Sequence, residues 1–122
     1  MSYLLDTDTC IFWLKGNNKI EKKALTAGLD RLYISFITLS ELYYGAYNSQ
    51  KIKENLTGIK TLEGKLRRID SDQGSCETFG KLKANLVRQG NVINDADLFI
   101  AAGALENDMV LVTKNILIES KD

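Results

Sequence analysis

The sequence predicts an α/β fold with a mostly parallel central sheet of four to five short strands flanked by helices, and three observations carry that reading. Apolar runs of strand length alternate with stretches whose apolar residues recur at helical spacing. The runs at residues 31–36 and 109–113 are rich in branched or aromatic side chains, as strands are. Strands that alternate with helices imply βαβ units, which lay their strands parallel.

Each element has its own signal. Residues 2–5 are apolar and too short a run for a helix, so they read as a buried first strand. A helix follows, capped by Asp6 or Asp8, with Ile11, Phe12 and Leu14 turned inward and an end at Gly16. Residues 19–28 form a second short helix closed by Gly28, and residues 31–36 the second strand. Thr38-Leu39-Ser40-Glu41 matches a capping box and opens a helix over 39–48. The next helix runs over 50–68, where Ile52, Leu56, Ile59, Leu62 and Leu66 recur on one face. Ile69 and Asp70 mark a third short strand. Phe79, Leu82 and Leu86 share a face of a helix over 76–89 that stops at Gly90, and Ala101, Ala102 and Ala104 suit the 95–105 helix to close packing on a sheet. Residues 109–113 are the clearest strand.

A chain of 122 residues suffices for one domain, 1–122, with a real core, and is too short for two. With 44% hydrophobic and 26% charged residues it matches an ordinary globular protein. No apolar run approaches the roughly 20 residues that cross a bilayer, and the N-terminus lacks the pattern of a secretory leader, so the expected compartment is the cytoplasm, without a membrane partner. There is no histidine. Cys10 and Cys76 therefore cannot serve a Cys-His nucleophile, and both are expected to be buried hydrophobes. Formal net charge is zero but unevenly spread: residues 51–68 carry six bases, among them Lys65, Arg67 and Arg68, against Glu54 and Glu63. A charge run is commonly a solvated helix face; beside an acidic site it can also hold phosphates.

The carboxyl ends of parallel strands share one edge of a sheet, where ligands bind. Asp6 and Asp8 follow the first strand; Thr113, Lys114 and Asn115 end the last. Glu41, Asp95 and Asp97 sit early in helices that begin at that edge. Singly, each acid has a simpler reading as a cap or as a partner of a helix dipole. Together, desolvated carboxylates repel and call for a cation. Mg²⁺ or Mn²⁺ suits such hard oxygen ligands, and the chemistry that results is phosphodiester hydrolysis.

The segments Tyr3-Leu-Leu-Asp6-Thr7-Asp8, Ile34 through Ala46, Phe79-Gly-Lys-Leu-Lys through Gly90, Asp97-Leu-Phe-Ile-Ala-Ala102 and Leu111-Val-Thr113-Lys-Asn115 resemble, in order and spacing, the PIN-domain nucleases, specifically the VapC-like toxins of bacterial toxin–antitoxin pairs. The resemblance implies a PIN-like three-layer sandwich and a Mg²⁺- or Mn²⁺-dependent endoribonuclease acting on RNA. It also implies a homodimer and a small cognate antitoxin that inserts a segment near the acidic pocket. Asp6, Glu41 and Asp97 fall on the family's three metal-binding acids, and Asn115 where the family has a fourth acid or an asparagine. Thr113 resembles the family's hydroxyl beside the metal, while Asp95, Asp8 and Thr7 are secondary members of the site. Lys65, Arg67 and Arg68 are the candidates for RNA contact. The C-terminus departs from the pattern. Ile118 stands where the family usually has an aromatic residue before a last strand, and the expectation is that this edge strand is missing.

Two other readings remain open. Asp6-Thr7-Asp8-Thr9 also fits a phosphatase of the haloacid dehalogenase class, with Asp6 as nucleophile, Asp8 as general acid and Lys114 forced into the role of the later lysine. A catalytically degenerate PIN-like binding module is the non-enzymatic alternative.

Overall fold

The computed structural model describes residues 1–69, 73–113 and 116–118, with residue 73 and residues 116–118 described by their backbone alone. In chain order the elements are β1 (Tyr3–Leu5), α1 (Thr7–Leu14), α2 (Asn18–Ala27), a 3₁₀ turn (Leu29–Arg31), β2 (Leu32–Ser35), α3 (Phe36–Tyr47) and α4 (Ile52–Lys65). Then come β3 (Arg67–Ile69), α5 (Gln73–Arg88), α6 (Asp95–Glu106), β4 (Val110–Thr113) and β5 (Ile116–Ile118). Strand order is β3-β2-β1-β4-β5. The first four strands run parallel, with Leu4 between Tyr33 and Leu111. β5 returns antiparallel on β4, Thr113 opposite Ile116.

β5 corrects the expectation of a missing edge strand. Only residues 114 and 115 separate it from β4, and a parallel partner would need a crossover of a dozen or more residues, so the return is antiparallel. Among the described residues no helix is long and apolar enough to cross a membrane.

Alternation along β1 divides the core. Leu5 faces one layer with Leu32 and Ile34, covered by Cys10 and Trp13 of α1, Ile20 of α2, Leu39 and Leu42 of α3, and Ile59 and Leu62 of α4. Leu4 faces the other layer with Ile100 and Ala104 of α6 and Met109. The small residues expected on α6 do what they allow: Ala102 is fully buried, and a Cβ added at the buried Gly103 would lie 3.6 Å from Ile69 Cδ1. Outside α6 lies α5, joined to it by the rings of Phe79 and Phe99, which stack with centroids 3.8 Å apart. Gly28 and Gly90 end helices at φ +98° and +76°, a conformation that costs other residues steric strain.

Four sequence expectations are corrected in detail. With Asp6 as the cap, Thr9, Cys10 and Trp13 of α1 are buried and Ile11 and Leu14 pack against the same core as expected, but Phe12 is 39% exposed. α3 begins three residues earlier than expected, because Ser35 at the end of β2 caps it by accepting the Thr38 N–H at 3.1 Å. Thr38 and Glu41 therefore do not form a capping box. α4 ends at Lys65, so Arg67 and Arg68 belong to a strand. Cys76 is exposed on α5, whose main partner among the described elements is α6.

Candidate active site

β1 ends at Leu5, and the next residue carries the first acid. Asp6 N–H donates to Val112 O of β4 at 3.1 Å, fixing the tip to the neighbouring strand. Its Oδ1 accepts the Thr9 N–H at 2.9 Å, so Asp6 caps α1, while Thr9 Oγ1 donates to the same Val112 carbonyl at 3.2 Å. Burial pushes the Asp6 carboxyl above its ordinary value; the Thr9 hydrogen bonds pull it back, and the charges of Asp8 and Asp97 push it up again. Asp6 thus has two roles. It caps a helix, and it is a partly desolvated carboxylate among like charges.

Glu41 reaches the same tip from α3, five residues past its first position. Its Oε1 accepts from Thr7 Oγ1 at 2.5 Å, a bond between residues 34 apart in sequence. Behind Thr7 stands Thr38, fully buried, with the two hydroxyl oxygens 3.2 Å apart. On the far side of the sheet α6 opens with Asn94 as its cap and brings Asp95 and Asp97 into its first turn. The charge of Asp97 adds to the rise that burial gives the Asp6 carboxyl. Asp95 is held elsewhere: Lys83 Nζ of α5 lies 3.0 Å from its Oδ1 and 5.8 Å from the Phe79 ring.

Thr113 closes β4, half-buried, one residue beyond the Val112 carbonyl that anchors the tip. Asp8 is exposed on the first turn of α1. Asn115 and Lys114 lie outside the described residues. Lys65, Arg67 and Arg68 are not brought beside the acids. Lys65 ends α4, and Arg67 and Arg68 stand on β3, the edge strand two places from β1, with Arg68 4.0 Å from a partly exposed Glu63. Through Ile34, Arg68 is level with Leu5, one residue short of the carboxyl edge.

Sequence reasoning missed Ser35, Thr38 and Thr9 as supports of the site. Thr38 carried a signal, but the capping-box match assigned it to the wrong partner.

The donor set decides which ion such a site could hold. Carboxylates and hydroxyls are hard oxygen donors, the chain has no imidazole, and burial pushes the nearby Cys10 thiol up to about 12, with Asp6 adding to the shift. These residues fit a hard divalent cation and not a soft one. Among the described residues no three acidic or thiol side chains stand together as a ready ligand set. A Mg²⁺-type ion is usually held by only one or two carboxylates plus waters and substrate phosphate, a smaller requirement than three.

Comparison with known proteins gives one consistent result. The PIN domain family model matches residues 3–121. Ribonuclease VapC1 of Haemophilus influenzae (strain R2866) is 36% identical over 118 residues, spanning 95% of this chain and 88% of that protein. The tRNA(fMet)-specific endonuclease VapC of Shigella flexneri is 31% identical over 115 residues, 94% of this chain and 87% of its own length. Among solved structures, VapBC2 of Rickettsia felis bound to a promoter DNA fragment superposes with a TM-score of 0.88 at 31% identity, covering 94% of this chain and 89% of that one. DNA-bound VapBC of Salmonella typhimurium gives 0.88 at 33% identity, covering 94% and 87%. Family model, sequence relatives and superposition agree over nearly the whole chain, and the chain belongs to the PIN domain family.

Proposed function

We propose that this protein is an endoribonuclease of the VapC type, the toxin of a toxin–antitoxin pair, that hydrolyses RNA with Mg²⁺ or Mn²⁺ in the cytoplasm. One observation carries the catalytic reading: burial at the tip of β1 pushes the Asp6 carboxyl up, and the charges of Asp8, two residues on, and of Asp97, from α6, push it further. Such an arrangement is unfavourable for a bare protein and favourable around a cation.

Asp6 and Asp97 would hold the ion, with Glu41 beside it and Thr113 as a hydroxyl neighbour; Asn115 is the further member of the site that the family resemblance implies. When bound, the ion supplies charge neutralisation to the phosphoryl oxygens and acidifies a water. The chain's own part is positional. Asp6 keeps Oδ1 on the Thr9 N–H of the helix cap, which fixes the carboxylate at the tip of β1. Glu41 keeps Oε1 on Thr7 and leaves Oε2 free of that bond to orient a water or accept its proton. Lys65, Arg67 and Arg68 extend the interface along β3 toward RNA phosphates, and RNA with accessible single-stranded or looped segments fits best. The relatives solved as VapBC complexes support a cognate antitoxin as partner. A homodimer belongs to the same proposal. The phosphatase reading loses its ground with the family match.

The test is cleavage of a mixed RNA pool by the purified chain with Mg²⁺ or Mn²⁺, with excess EDTA, and with Asp6→Asn. Cuts that vanish in both controls are expected. A folded, antitoxin-free protein that cuts nothing would return the weight to a degenerate binding module. Neutralising Lys65, Arg67 and Arg68 together should weaken RNA binding and flatten its salt dependence; an unchanged slope would reject that surface.

A further inference from the structure

Four oxygens connect the end of β2 to the acidic edge. Ser35 Oγ stands 3.3 Å from Thr38 Oγ1, Thr38 Oγ1 3.2 Å from Thr7 Oγ1, and Thr7 Oγ1 2.5 Å from Glu41 Oε1. Thr38 is 0% exposed and Ser35 6%. Proton bookkeeping fixes the direction of this chain, because each hydroxyl has one proton to give and two lone pairs to accept with. The single Thr7 proton goes to the Glu41 carboxylate, since an ionised acceptor at the shortest distance makes the strongest bond. The contact between Thr7 and Thr38 must then be donated by Thr38, and Thr38 must accept from Ser35. Ser35 is itself fixed, because its oxygen caps α3 by accepting the Thr38 N–H at 3.1 Å.

We propose that Thr38 is a positioning residue for the catalytic edge: acting through Thr7, the one-way chain from Ser35 to Thr38 to Thr7 aims the Glu41 carboxylate at the site. Each bond polarises the next toward the charge. The chain cannot be reversed without leaving a buried hydroxyl unsatisfied, so it holds Glu41 in one orientation. It also joins the N-termini of α1 and α3, the two helices that carry Asp6 and Glu41. Neither Ser35 nor Thr38 needs to touch substrate or ion for this.

Two measurements test it, and only the first rests on the nuclease reading. In RNA cleavage, Thr38→Val keeps the side-chain shape and removes both hydroxyl bonds, whereas Thr38→Ser keeps them. The valine variant should lower kcat about tenfold, leave KM for RNA within about twofold and raise the Mg²⁺ needed for half activation several-fold, with serine restoring most of each. Ser35→Gly, which retains a fair helix cap, breaks the chain one link back and replaces the valine variant if that one does not fold. The second measurement is a metal-free thermal unfolding cycle in EDTA, which reads the chain whether or not RNA is cut. Losses in Tm from Thr38→Val and Glu41→Ala should fail to add by about 2 °C or more, and should add once Thr7 is Val. Additive losses with Thr7 intact, a coupling that survives Thr7→Val, or a serine variant as impaired in kcat as valine would each overturn the proposal.

Discussion

Thr7 and Glu41 join α1 to α3 through an exposed hydrogen bond backed by hydroxyls that run into the core, whereas Lys83 and Asp95 join α5 to α6 through an ion pair in water. Both joints serve the same carboxyl edge. The first is backed by the larger buried cluster, including Ile34 and Cys10 at 0% exposure; the second by one stacked pair of rings between α6 and α5, a helix whose main partner is α6. Buried hydrogen bonds resist salt and lose much when one partner is removed, while exposed pairs are screened and lose little. On our proposal the chemistry belongs to the α1–α3 side, with Asp97 as the contribution of α6.

Activity should break this comparison most visibly. Asp6→Asn is expected to lower kcat/KM for RNA by roughly 100-fold or more, as loss of a preorganised charge does, while Asp95→Asn, whose carboxylate is turned to Lys83, should change it by less than about fivefold. Equal losses would place Asp95 in the site and dissolve the distinction between the two joints.

Stability should follow in the same direction. Ile34→Ala removes a fully buried side chain between β1 and β3 and should cost about 2–5 kcal/mol in denaturant unfolding. Phe79→Ala removes a half-buried ring from the outer helix and should cost about 1–2 kcal/mol through lost area and stacking. A Phe79 variant as unstable as the Ile34 variant would mean that α5 is part of the central core after all.

The pH dependence of Asp6 separates its charge from its cap. Its native carboxyl is raised above the ordinary 3.8, chiefly by burial, so the native state binds the proton more tightly than the unfolded chain. Stability therefore rises as pH falls through the raised native value toward 3.8, and the penalty is fully present above that window. Asn stays neutral and caps as well as Asp. Without metal, Asp6→Asn should melt above the wild type at pH 7, with the difference shrinking toward pH 4. A variant that melts lower at pH 7 would show that the cap needs the charge.

How much of this was legible in the sequence depended on which force set each feature. Strands β1, β2 and β4, and the glycine stops at Gly28 and Gly90, follow from local pattern, and parallel topology then delivers Asp6, Glu41 and Asp97 to one edge. The start of α3 was not legible. Phe36 and Ile37 prolong the apolar run of β2, and only the tertiary burial of Thr38 shows that Ser35 is the cap. Phe12 was misplaced because periodicity gives a face only once the first residue of the helix is known. The engagement of Asp95 with Lys83 depends on the approach of α5 to α6, which no spacing within either helix encodes.

The smallest expected effect sharpens the contrast by its sensitivity to salt. Lys83 and Asp95 are 47% and 58% exposed in their side chains, so Lys83→Met should cost only about 0.2–1 kcal/mol at low ionic strength. The Lys83 stem and its cation over Phe79 add little in water. At 1 M NaCl the screening length falls to about 3 Å, and the variant and wild type should then melt together. Thr7→Val, compared in the same two salts, should keep its full loss, because the bond it removes ends a chain rooted in the fully buried Thr38. If both losses faded with salt, the Thr7–Glu41 joint would be a surface contact like the other, and Glu41 would owe its orientation to something beyond the hydroxyls behind it.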